Sequence, residues 1–102
     1  MSAQVAADLR AAAEVLRRDG WRQGDYVQFP NGACCATGAI RKAVYGDPWI
    51  AGYLSGRAER AVLSVVDPGG HSLPWWNDTP GRTADEVIAA LEAAAERAEA
   101  EQ

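Results

Sequence analysis

The sequence predicts a mainly α-helical fold: four or five short helices with a small β-hairpin at about residues 25–35. Three observations lead there. Apolar residues recur at helical spacing through most of the chain. Alanine, the strongest helix former, supplies 21 of the 102 residues. A capping sequence, Thr83-Ala84-Asp85-Glu86, stands directly before the last apolar period. The length is that of one compact domain, residues 1–102, with 1–3 and 99–102 expected to fray.

The first helix is read over residues 4–19. Val5, Leu9, Ala12 and Leu16 fall on one helical face, and Asp8, Arg10, Glu14, Arg17 and Arg18 fall largely elsewhere. Gly20 suits the left-handed position that closes a helix. Trp21 follows, placed to fold back on the helix end. Residues 25–35 change character: Tyr26, Val27 and Phe29 favour strands and Pro30-Asn31-Gly32 is turn chemistry, hence the hairpin of 25–29 with 33–35.

Helical spacing returns over 36–45, with Ala36, Ala39, Ile40, Ala43 and Val44 on one side and Arg41 and Lys42 on the other. Asp47-Pro48 reads as the N-cap and first residue of a further helix, limited by Gly52 and Gly56. Residues 57–66 give a fourth helix; its Val-Leu-Ser-Val-Val run also suits a strand, but no partner strand is near. Residues 67–82 are the longest expected loop, with Asp67-Pro68-Gly69-Gly70 and Thr79-Pro80-Gly81 as turns. Of the two tryptophans between them, Trp76 is expected to anchor the loop and Trp75 to point outward. The last helix begins after Thr83, with Val87, Ile88, Leu91, Ala94 or Ala95, and Ala98 on its buried face.

Composition narrows the function classes. Net charge is −4, unevenly placed: residues 1–50 carry +1 and residues 51–102 carry −5. The acidic end repels polyanions, so nucleic acid is a poor partner, although Arg17, Arg18, Arg22, Arg41 and Lys42 make a limited basic patch. No apolar run approaches the ~20 residues of a membrane span. Gln4, Asp8 and Arg10 sit where a signal peptide would have its apolar centre. Two adjacent cysteines, Cys34 and Cys35, make no disulfide framework, and a cytoplasmic location is the expectation.

Three features could carry chemistry. Cys35 precedes a helix, where the dipole lowers a thiol pKa, and His71 is the chain's single histidine. A Cys35–His71 pair oriented by Asn77 or Asp78 would make a cysteine-dependent hydrolase or transferase. The competing reading is a small buried thiol at a helix start. Adjacent thiols and one histidine are poor zinc ligands, so no metal is expected. No cofactor is expected either, since Pro68-Gly69-Gly70 lacks the lysine and helix of a phosphate loop. Trp75, Asn77, Asp78 and His71 could form a binding lip, or the same loop could simply be pinned by tryptophan and an Asx turn.

The order of several blocks resembles a known grouping. These are Trp21-Arg22-Gln23-Gly24; Gly32 before Cys35-Ala36-Thr37-Gly38-Ala39-Ile40; Trp76-Asn77-Asp78 with Gly81-Arg82-Thr83; and Glu86-Val87-Ile88 with Leu91. Over roughly residues 8–98 the chain resembles an uncharacterised family of small proteins of actinobacteria and their phages, a domain of unknown function. Members often carry cysteine where this chain has Arg22, so a disulfide or metal site using that position is not carried over. The resemblance implies an accessory role in a phage or mobile element and names no reaction. Taken together, the sequence favours a small cytosolic binding protein with a protein partner or a second copy of itself, with Cys35, His71 and Asp78 as the enzymatic alternative.

Overall fold

The computed structural model describes residues 2–24, 32–47, 53–67 and 69–101. Five helices appear there: α1 (Ser2–Asp19), α2 (Ala36–Tyr45), α3 (Tyr53–Val66), α4 (Leu73–Asn77) and α5 (Ala84–Ala100). The mainly helical class is as the sequence predicts.

The frame is the antiparallel pair α1 and α5. Arg10 meets Glu99 at 2.6 Å and Arg17 meets Glu92 at 2.6 Å, so the numbering of one helix runs against that of the other. Between these rim contacts lie Ala6, Leu9, Ala12, Ala13 and Leu16 from α1, and Val87, Ala90, Leu91, Ala94, Ala95 and Ala98 from α5. The alanines explain themselves here. Small side chains let the two backbones approach, while Leu9, Leu16 and Leu91 fill the layers. α1 also packs against α2 and α3, and Ile40, Ala58 and Val62 close the core from those sides.

Helix ends follow local chemistry. Gly20 takes φ 93° and donates its N–H to the Leu16 carbonyl at 2.9 Å, ending α1 where the sequence expects. Asp19 accepts from Lys42 Nζ at 2.9 Å and from Arg18, which ties the end of α1 to α2. At the start of α5, Glu86 N donates to Thr83 Oγ1 at 3.2 Å and Thr83 N donates to Glu86 Oε1 at 3.1 Å, the reciprocal cap that the T-x-x-E spacing predicts.

Three expectations change. The hairpin rests on residues 25–31, which lie outside the described residues. Among those described no hairpin forms: Cys34 pairs in parallel with Trp21, through Cys34 N to Gly20 O and Arg22 N to Cys34 O, each 3.0 Å. The expected break at Gly56 is absent, since α3 runs through it from Tyr53 to Val66; residues 48–52 of the separate helix lie outside the described residues. A glycine inside a helix costs only ~1 kcal/mol, which burial of Ala58 and Val62 offsets. Finally, the long loop contains α4. Ser72 caps it by accepting from Trp75 N at 3.2 Å, and Pro74 sits in the first turn, where its missing N–H loses nothing. The following turn is as read: Arg82 N donates to Thr79 O at 3.1 Å with Gly81 at φ 85°.

Candidate functional site

α4 is amphipathic within five residues. Leu73, Trp76 and Asn77 are buried, Trp76 at 6% exposure, whereas Trp75 stands 53% exposed. Consecutive helical residues differ by about 100° around the axis, so the two tryptophans part in the sense expected from sequence. Trp76 packs into the core with the Arg82 guanidinium 4.2 Å above its ring. Arg82 also donates from Nε to the Trp76 carbonyl at 3.2 Å and pairs with Glu86. Arg82, tied to α5 through Glu86, therefore holds the Trp76 end of α4 in place.

Asn77 is the centre of the arrangement. It is fully buried, yet all its amide groups have partners. Its Oδ1 accepts from Trp21 Nε1 at 2.6 Å and from the Ala36 backbone N–H at 2.9 Å. Its Nδ2 donates to the Arg22 carbonyl at 3.1 Å and to Asp78 Oδ1 at 3.0 Å. Asp78 Oδ1 further accepts from Gly24 N at 2.9 Å, and Gln23 Nε2 donates to the carbonyls of Asn77 and Thr79. One side chain thus joins the segment after α1, the start of α2 and the end of α4. Neutral amide chemistry suits the place, because a buried amide is tolerated only when its donors and acceptor are all met.

The start of α2 is filled by the protein itself. Ala36 N–H goes to Asn77, Gly38 N–H to Cys35 Sγ at 3.3 Å, and Ala39 N–H to the Cys35 carbonyl at 2.9 Å. Cys35 is the N-cap and is buried. Burial pushes its thiol up to about 11, against the lowering by its bonds to Gly38 and Thr37, and nearby Asp78 raises it further. Burial raises the Cys34 thiol as well. The lowering expected for a cysteine ahead of a helix comes here from the backbone N–H groups of its first turn, and it loses to desolvation.

His71 stands in another setting. Its Nδ1 lies 2.8 Å from Asp67 Oδ2, and its ring stacks on Trp75 with centroids 3.7 Å apart and planes 10° from parallel. The sequence-derived residues therefore fall into two groups. Asn77 and Asp78 sit inside the clamp that holds α4, and His71 and Trp75 form an exposed ring pair on its outer side. Cys35 belongs with the first group and His71 with the second, and their hydrogen bonds go to different partners. The Asn77 side chain spends its oxygen on Trp21 and Ala36 and makes no Asx turn with it.

Three members of the basic patch are paired with acids of the same chain. Arg17 pairs with Glu14 and Glu92, and Arg18 and Lys42 share Asp19. Among the described residues no three His, Cys, Asp or Glu side chains gather as a metal site would require. No described helix is long and apolar enough to cross a membrane.

Sequence reasoning missed the role of Asn77. Its one local signal is a polar residue next to the buried Trp76, and nothing local names Trp21, Arg22 and Ala36 as partners. Those partners and Asn77 occur together in the blocks quoted above. A family of unknown function (DUF6197) matches residues 1–97. The chain belongs to this family. The clamp and α4 lie wholly inside the matched region. No curated protein and no solved structure matches the chain.

Proposed function

We propose that this DUF6197 chain is a small binding protein that docks a protein partner through the outer face of α4. The observation that carries the reading is Trp75, 53% exposed on a helix whose opposite side is locked by Asn77, Trp76 and Arg82. Tryptophan is enriched at binding hot spots, and a side chain held in one orientation loses little freedom when a partner covers it. The free, buried thiols Cys34 and Cys35 fit a reducing, cytoplasmic setting. An accessory role in an actinobacterium or its phage fits the sequence resemblance and chooses the lysate for the test.

The enzymatic alternative has less behind it. A thiol with its pKa pushed up to about 11 is a poor nucleophile at neutral pH, and His71 is engaged with Asp67 and Trp75. The test is paired affinity capture from an actinobacterial lysate with the native chain and the Trp75→Ala variant, both checked for native circular dichroism. Proteins captured by the first and lost by the second support the reading. Identical capture by both removes the α4 face from the reaction surface.

A further inference from the structure

The ring pair on α4 has a chemistry of its own. His71 covers one face of the Trp75 indole at 3.7 Å, so the exposure that remains is on the other face and the ring edge. The π-cloud of that outer face is electron-rich and attracts cations, most strongly in tryptophan. The stretch of chain that carries it has charges of one sign. Residues 61–81 contain Asp67 and Asp78 and no lysine or arginine. Asp67 meets the edge of the stacked imidazole, with Oδ2 2.8 Å from Nδ1. Asp78 lies one helical turn from Trp75; its Oδ1 takes the bonds from Gly24 and Asn77, while Oδ2 takes none among the described residues. The cation nearest in sequence, Arg82, is spent on Trp76 and Glu86. Arg22 turns its Nε to the Gln23 carbonyl.

We propose that the outer face of Trp75 is a guanidinium site, which receives an arginine side chain of the docked partner under the field of Asp67 and Asp78. Arginine fits better than lysine. Its planar head stacks on an indole while the edge N–H groups stay free to reach a carboxylate such as Asp78. The acidic second half of the chain, at −5, favours the approach of a basic segment over long range. This inference rests on the docking face proposed above and narrows it to a basic partner segment.

The test needs no identified partner. A short arginine-containing peptide, its citrulline counterpart and its glutamate counterpart are titrated into ¹⁵N-labelled protein, with the indole N–H signals as reporters. Citrulline keeps the planar group and removes the charge. Expected is a shift of the Trp75 indole signal with arginine in the millimolar range, about threefold or more weaker with citrulline, weaker again as salt is raised, and lost in Trp75→Ala at unchanged thermal stability. Equal binding of the citrulline peptide, tighter binding of the glutamate peptide, or no Trp75 response to arginine each overturns the inference. If lysate capture depends on Trp75 while the arginine peptide has no effect, the docking face stands and its cationic chemistry is refuted. If capture is also independent of Trp75, both fail.

Discussion

Replacing Asn77 with alanine removes four hydrogen bonds from three segments at once. The Ala36 N–H, buried at the start of α2, loses its acceptor at 2.9 Å, and the half-buried Trp21 indole loses its acceptor at 2.6 Å. The Arg22 carbonyl and Asp78 Oδ1 each lose a donor. A buried backbone donor left unmet costs about 1–3 kcal/mol. With the partly hydrated groups added, the expected loss for Asn77→Ala is about 3–4 kcal/mol. For a urea slope near 1.5 kcal/mol per molar, this lowers the midpoint by about 2 M. The assay is urea unfolding followed by helical circular dichroism and by tryptophan fluorescence. Asn77→Asp is the sharper companion. It keeps both acceptor bonds but loses the donors and sets a buried carboxylate against Asp78. Burial and the like charge raise the folded pKa of the new carboxyl above its ordinary value, so its stability deficit should shrink as pH falls from 7 toward 5. A deficit below about 1 kcal/mol for Asn77→Ala, or an Asn77→Asp deficit that grows on acidification, would refute the clamp.

Other substitutions separate core from surface. Trp76→Ala should cost about 3–5 kcal/mol as a large-to-small core change, whereas Trp75→Ala should stay within about 1 kcal/mol of the native chain; thermal unfolding of both variants decides. In the Cys34→Ser variant, Cys35 should react with a disulfide reagent at neutral pH far more slowly than an exposed peptide thiol, and rapid labelling would contradict the burial that raises its pKa to about 11. Asp19 is held below the ordinary carboxylate range, first by Arg18 and then by Lys42. Its folded pKa is depressed, so its contribution is complete above the ordinary value of ~3.9 and is lost as pH falls below it. Asp19→Asn should therefore destabilise by on the order of 1 kcal/mol at pH 7 and less at pH 3, measured by urea midpoints; an equal deficit at both pH values would count against the pair.

The helices that stood out in the sequence are those whose signals are local. Thr83 and Glu86 are three residues apart, and their mutual cap needs nothing else. Gly20 closes α1 for the same reason, and the divergence of Trp75 from Trp76 follows from helical geometry. The α1–α5 pairing is half-legible: the apolar face of each helix is read locally, but the Arg10–Glu99 and Arg17–Glu92 register spans most of the chain. α4 went unseen because five residues show no periodicity, and Pro68, Gly69, Gly70, Pro80 and Gly81 around them speak for turns. Gly56 misled because its intrinsic penalty is small against tertiary burial. Asn77 went unread for a different reason. Apart from its neighbour Asp78, its partners are 41 to 56 residues away in sequence, so those bonds exist only once α1, α2 and α4 are assembled. Cys35 shows the same limit. Its place before a helix argues for a lowered pKa, and only the assembled core shows that desolvation wins.

A locked α4 with an open Trp75 is measured most directly by hydrogen exchange at the indole N–H groups. In ¹⁵N-labelled protein at neutral pH, the Trp21 indole N–H, bonded to Asn77, should exchange slowly, together with the Ala36 amide. The Trp75 indole N–H should exchange close to the rate of an unstructured peptide. A Trp21 indole that exchanges as fast as that of Trp75 would mean the clamp is open in solution. A protected Trp75 indole would mean its face is already covered by the protein's own chain, and either result contradicts a fixed mount presenting a free tryptophan.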